Sequence, residues 1–376
     1  MNLVKLIFFI SIITPSISFS LNLFNLNRRD LFHLAAGVSY LSSKQYAKPV
    51  CIIGANGETG KECMKLLANN KTYVRAISRK KIDIDKLELD DINAKKYIDS
   101  LQFDIRSSNN IDNIIKGTSS VIFLANAKKK YRYIKTDVEE YQNYEDVDVM
   151  GLENVAKACV KNNIPRLVYV SGSCKSCTDD PELEIDKICG IECENCRTKQ
   201  AGENIIRNIY KNSNLDYTII RIGYLINGEN RGPTELEINQ DYTKSGMISR
   251  IDLANICLNS INNPKTARTT FEAYYKDTTQ PYDAKDSLQL CTNLGKSIEE
   301  CFFGSEFKDK KPKNMDEVRN KPIKGSLFTT GNEYQGENWS DLFKNIRRDD
   351  SNPYLDLDNK KKEVEFDDDN SNILYN

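Results

Sequence analysis

Histidine is almost absent: the chain has one, His33, in 376 residues. It falls in a stretch read below as a removable leader. Without it the mature chain has no Ser-His-Asp, Cys-His or His-ligated metal chemistry. A surplus of one charge sign is also missing. Lys and Arg number 53 against 54 Asp and Glu, for a formal net charge of -1. No global excess of cations exists to neutralise a phosphate backbone, which argues against nucleic acid as a partner. Long apolar runs are confined to the extreme N-terminus, which excludes a polytopic membrane protein. Cysteine, by contrast, is plentiful at 11 residues, and its clustering matters more than its number.

Residues 1–20 read as a signal peptide. Lys5 is the only charge, Leu6 to Ile13 is almost wholly apolar, and Pro15 and small Ser residues follow. The run is short for a membrane span and Pro15 interrupts its end, so the mature chain is expected to have no integral membrane segment. Residues 21–47 change character: Arg28, Arg29 and Lys44 face a single acid, Asp30, among several Ser and Asn. That composition resembles a transit peptide, and signal plus transit segment resembles the bipartite leader of a complex plastid. Arg28-Arg29 before Leu34 to Leu41, with Gln45-Tyr46-Ala47 as a cleavage site, also resembles a twin-arginine signal for the thylakoid lumen. The expected location is a plastid, stroma or lumen, with the secretory pathway as the alternative.

The central domain is expected over residues 48–275. Pro49 to Ile53 is a short apolar run of the kind buried on both faces of a parallel sheet. It leads into Gly54-Ala55-Asn56-Gly57-Glu58-Thr59-Gly60, an amphipathic helix over Lys61 to Ala68, and a second strand, Tyr73 to Ser78. Strand, glycine turn, helix and strand in that order give the glycines a mechanism. Gly54 allows the tight turn, Gly57 lets backbone approach a pyrophosphate, and Gly60 lets the helix pack on the sheet. The helix N-terminus then presents free N–H groups to the phosphates.

The Gly-x-x-Gly-x-x-Gly spacing resembles the extended and atypical short-chain dehydrogenase/reductases, particularly their NmrA-like NAD(P)-binding branch. The resemblance implies an α/β fold: a doubly wound, parallel-sheet Rossmann domain with a small C-terminal extension. It also implies cofactor contacts from Gly54, Asn56, Gly57, Glu58, Thr59 and Gly60. Where NAD enzymes place an acid after the second strand, this chain has Ser78-Arg79-Lys80, which suits the 2′-phosphate of NADP(H). Further along, the resemblance places Asp104 and Ile105 at the adenine, and Ala125 and Asn126 at the ribose and nicotinamide. It puts a helix over Asp146 to Val160, with Val149, Leu152, Val155, Ala156 and Cys159 as its apolar positions. The fifth strand, from Arg166, brings Ser171 beside the substrate. A sixth runs over Leu215 to Arg221, Met247 to Ala254 matches a late family motif, and Thr270 to Ala273 reads as a short closing strand.

Active family members carry Tyr-x-x-x-Lys. The Lys is present as Lys199, but Asn195 stands where the Tyr would be. Three readings stay open. Lys199 itself exchanges the proton, Tyr224 replaces the missing phenol, or the protein binds cofactor without turnover. The first two make it an oxidoreductase acting on a carbonyl or activated double bond of an unidentified small molecule. The third makes it an NADP-responsive scaffold or assembly factor, with a photosynthetic complex as partner.

Cys174, Cys177, Cys189, Cys193 and Cys196 crowd the segment before Lys199. Four thiolates suit zinc or an iron–sulfur cluster, pairs suit disulfides, and unlinked thiols complete the set of readings. Cys51, Cys63 and Cys159 lie on apolar faces and read as core. Residues 276–348 read as an extension whose Trp339, Leu342, Phe343 and Ile346 share a helical face that docks on the parent domain. Residues 349–376 read as a disordered polar tail.

Overall fold

The computed structural model describes residues 47–127, 143–173, 193–240, 244–281 and 333–352, together with a few single positions at 292, 295–297, 300 and 355. The leader therefore lies outside the described residues except for Ala47, as do Cys174, Cys177 and Cys189 and most of the polar tail.

Seven parallel strands and one antiparallel edge strand form the main sheet. They are β1 (Val50–Ile53), β2 (Val74–Ser78), β3 (Ile98–Gln102), β4 (Ser120–Phe123), β5 (Arg166–Gly172), β6 (Asp216–Ile222), β11 (Thr269–Tyr275) and β8 (Leu236–Asn239). The strand order is β3-β2-β1-β4-β5-β6-β11-β8. Strands β1, β4 and β11 are buried along their whole length; β1 and β4 accordingly read as apolar runs rather than alternating ones, while β11 buries Thr269, Thr270 and Glu272 as well. The segment read as a short closing strand is longer than expected and sits inside the sheet. It pairs parallel with β6 on one side and antiparallel with β8 on the other. Two small two-stranded sheets complete the β structure: β7 (Tyr224–Ile226) pairs with β10 (Met247–Ser249), and β9 (Lys244–Ser245) with β12 (Gln280–Pro281).

Helices cover both faces. Helix α1 (Glu58–Asn69) and α5 (Arg250–Ile261) pack on one side, and α2 (Ile111–Ile115), α3 (Leu152–Lys161) and α4 (Cys193–Tyr210) on the other. In α1 the buried side chains past the first turn are Cys63, Met64, Leu67 and Ala68, one face at helical spacing. The helix predicted from Asp146 opens differently from expectation. Glu145–Gly151 is a π-helical turn, and regular α-helix begins at Leu152. Within this turn Val147 and Asp148 are buried and Val149 is half-buried. Among the described residues no helix is long and apolar enough to cross a membrane.

The described end of the extension, a strap over residues 333–352, docks as expected, although its helix α6 is a single turn, Trp339–Leu342, capped by Asn338. Leu342 and Phe343 are fully buried in the core on the α1/α5 face. Two buried ion pairs fasten the strap at its ends. Glu333 lies 2.6 Å from Lys244 and Asp349 lies 3.2 Å from Arg207. Asp349, placed by composition at the head of the polar tail, is instead buried. It accepts hydrogen bonds from Tyr217 and Thr270 at 2.9 and 2.8 Å.

Candidate functional site

The site lies at the carboxyl ends of the parallel strands. There the strand order reverses, between the parallel neighbours β1 and β4, the place where open α/β sheets leave a crevice. Gly54 has φ of 87°, and a Cβ there would lie 2.7 Å from the Ala125 backbone nitrogen. The turn can therefore nest against the end of β4 only as glycine. A Cβ on Gly60 would lie 2.5 Å from the Gly54 carbonyl oxygen, so the start of α1 also abuts the turn. Gly57 is exposed and supplies no side-chain cap, leaving the first N–H groups of α1 for a ligand. These residues fit a dinucleotide pyrophosphate.

At the end of β2, Ser78 is buried, Arg79 half-buried and Lys80 exposed. Arg106, which the sequence reading overlooked, grips the Asp104 carboxylate with Nε at 3.0 Å and Nη2 at 2.6 Å. Those hydrogen bonds hold Asp104 below the usual carboxylate range, against partial burial and with help from the charges of Arg106 and Arg79. Two guanidinium charges thus act on one carboxylate, which leaves a positive balance among Arg79, Asp104 and Arg106. Ile105 is buried and packs against Gly151.

Lys199 is buried and its Nζ lies 2.7 Å from Asp148, a fully buried carboxylate in the π turn. Asn126, with its amide oriented to satisfy both groups, donates to the same carboxylate at 3.2 and 3.3 Å, and the Ala127 N–H at 3.4 Å. Lys199 Nζ also sits 5.3 Å from the centre of the Tyr169 ring. Gly202 makes this possible: a Cβ there would lie 2.7 Å from Leu152 and 2.8 Å from the Asp148 carbonyl oxygen. Asp148 was legible in principle. It shares the i, i+4, i+7, i+8 register of Leu152, Val155 and Ala156, and an acid on a buried face demands a partner.

Two other catalytic candidates are placed differently from expectation. The Ser171 hydroxyl donates to Glu203 at 2.7 Å inside the core. Glu203 also pairs with Arg221 at 2.7 Å and Arg207 at 2.9 Å, and Arg221 reaches Glu272 at 3.0 Å. Burial pushes the Glu203 carboxyl up, but the Arg221 charge and hydrogen bonds, then Arg207 and Ser171, bring it down to about 2. Tyr224 packs with the α1/α5 face, whereas Lys199 approaches the Tyr169 ring on the other. Ser173 Oγ and Asn195 Oδ1 are buried and find no hydrogen-bond partner among the described residues.

Cys196, three residues before Lys199 on α4, is buried and disulfide-bonded, in keeping with the disulfide reading at that position. Cys51, Cys63 and Cys159 are buried free thiols in the core, and burial pushes Cys51 up to about 12. Among the described residues no group of three or more His, Cys, Asp or Glu is placed to hold a metal ion.

A family model described as NAD(P)H-binding matches residues 54–264. The chain is 25% identical over 231 residues to the mitochondrial NADH-ubiquinone oxidoreductase 40 kDa subunit of Neurospora crassa, covering 59% of this chain and 54% of that one. It is 30% identical over 132 residues to short-chain dehydrogenase/reductase family 42E member 1 of Xenopus laevis, covering 35% and 31%. The chain thus spans about half the length of the first of these relatives and under a third of the second. Among solved structures, it is similar to an oxidoreductase from Lactococcus lactis (TM-score 0.46, 18% identity, 65% of this chain and 97% of that one). A short-chain dehydrogenase/reductase from Veillonella parvula in complex with NADP gives a TM-score of 0.44 at 15% identity, covering 61% and 96%.

Proposed function

The chain belongs to the NAD(P)H-binding family of short-chain-dehydrogenase-like proteins, and from that premise we propose that it holds NADP(H) as a bound group of a protein assembly rather than turning it over. One observation carries this reading: the lysine that would serve proton transfer is committed to Asp148 in a buried pair at 2.7 Å. In an active site of this kind the lysine charge lowers the pKa of a phenol. Here the charge is compensated by a carboxylate, and Asn195 occupies the phenol's place in the sequence. Lys199 and Asn126 remain suited to hold a ribose. The cofactor, when bound, would supply a hydride donor or acceptor.

Preference for NADP(H) follows from Arg79, assisted by Ser78 and Lys80, with Arg106 offsetting the Asp104 charge. The similarity to a subunit of a mitochondrial oxidoreductase supports an assembly role; that the partner is a photosynthetic complex rests on the leader composition alone. Delivery to a plastid rests on the composition of residues 1–47. N-terminal sequencing of the native protein then begins at Lys48, and an intact 21–47 segment would refute the lumenal route.

The second reading is an oxidoreductase acting on a carbonyl or activated double bond. It draws support from Ser173 Oγ and Asn195 Oδ1, two buried polar atoms without a hydrogen-bond partner among the described residues. One experiment separates the two. The protein is mixed with NADPH and a panel of aldehydes, enones and quinones, following nucleotide binding by calorimetry and oxidation by absorbance. Binding without oxidation is expected. Catalytic oxidation with any of these acceptors would overturn the silent-site reading.

A further inference from the structure

Glu58 and Arg250 are the first residues of α1 and α5. Arg250 Nε lies 2.8 Å from Glu58 Oε2, and Arg250 Nη1 lies 2.6 Å from Asn227 Oδ1 just beyond β7. The two partners differ sharply in exposure. The Arg250 side chain is 10% exposed and that of Glu58 56%. Both helices follow the carboxyl ends of strands, β1 and β10, so the pair bridges two helix starts at the crevice.

A carboxylate in the first turn of α1 sits beside the N–H groups that receive the cofactor phosphates. At such range two anions repel by an amount the helix N-terminus offsets only in part. The carboxylate has a counter-charge already in place: a guanidinium held nearly out of water at the edge of the same site.

We propose that Arg250 is a contact for the cofactor pyrophosphate, kept in place by Glu58 until the nucleotide arrives. The phosphate takes the guanidinium from the Glu58 carboxylate, which turns to the solvent it already half faces. The guanidinium exchanges one anion for another and is never left unpaired, so the buried charge stays compensated throughout. Because Arg250 also holds Asn227, occupancy reaches the loop after β7. There Asp252 accepts from the Arg231 and Gly232 backbone N–H groups at 2.8 and 3.0 Å. This inference rests on the cofactor reading above and adds a residue outside the glycine turn to it.

The test is calorimetric titration of the full chain with NADPH, ADP and adenosine, in wild type, Glu58→Gln and Arg250→Gln. Glu58→Gln removes the competing anion and is expected to tighten NADPH and ADP by about three- to tenfold. Arg250→Gln is expected to weaken both by about tenfold or more. Adenosine, which lacks phosphate, should bind all three proteins alike. Glu58→Gln is an exposed change that keeps the fold, so it decides the matter even if Arg250→Gln is unstable. Unchanged or weaker NADPH binding in Glu58→Gln would overturn the proposal and reduce the pair to a tie between helices. Failure of the wild type to bind any nucleotide would instead refute the cofactor reading itself.

Discussion

Replacing Asp148 with Asn tests the central feature of the site. The substitution keeps the shape and removes the charge that faces Lys199 at 2.7 Å. Asp148 is fully buried and the Lys199 side chain 9% exposed, so water cannot take over as counter-ion. Breaking one side of a buried pair leaves an uncompensated charge and costs about 3–5 kcal/mol. For a domain of this size that corresponds to a fall in Tm of roughly 6–20 °C. Urea denaturation of wild type, Asp148→Asn, Lys199→Met and the double variant gives the coupling directly. The double variant should lose less than the sum of the singles, by up to about 3 kcal/mol, because neither charge is then stranded. All four proteins are compared without nucleotide, so differences in cofactor binding do not enter the result. Single variants that each lose under about 1 kcal/mol, or a double that is strictly additive, would refute the reasoning.

Three further predictions follow from the same geometry. Arg79→Ala should weaken NADPH by roughly ten- to hundredfold while leaving NADH nearly unchanged, since a charge-assisted phosphate contact is worth about 1.5–3 kcal/mol; equal losses for both nucleotides would remove Arg79 from the 2′-phosphate. The Glu203 carboxyl is depressed from 4.5 to about 2 in the folded chain. Its contribution of about 3 kcal/mol is therefore complete above pH 5 and is lost as pH falls toward 2. Urea midpoints at pH 7, 5, 4 and 3 should trace this fall, and Glu203→Gln should flatten it. Phe343→Ala empties a fully buried position at the docked strap and should cost about 3–5 kcal/mol by the same assay; a loss under 1 kcal/mol would mean the strap contributes little to the fold.

The cofactor end of the molecule was legible in the sequence because its requirements are local. A glycine turn, a buried apolar strand before it and an amphipathic helix after it lie within about twenty residues. Backbone sterics at Gly54 and Gly60 allow few alternatives to that geometry. The fully buried β1 and β4 declared themselves by short apolar runs, whereas β11, just as buried, carries Thr269, Thr270 and Glu272 and so read only as a short strand. Family resemblance then placed Lys199, although spacing along the chain carries no information about what faces it.

What the tertiary structure alone decided are the pairings across the sheet and between helices. Asp148 and Lys199 are 51 positions apart in sequence and meet because Gly202 lets α4 press onto a π turn that periodicity reads as ordinary helix. Ser171 was expected to face a substrate, yet its hydroxyl turns inward, because Glu203 stands one helical turn past Lys199 and needs donors. Asp349, an acid in an acidic stretch, is drawn into the core by Arg207, Tyr217 and Thr270. The physical reason is common to all three. A local pattern fixes which face of an element is buried, whereas the partner of a buried charge is chosen by whatever the packed layers bring within hydrogen-bond reach.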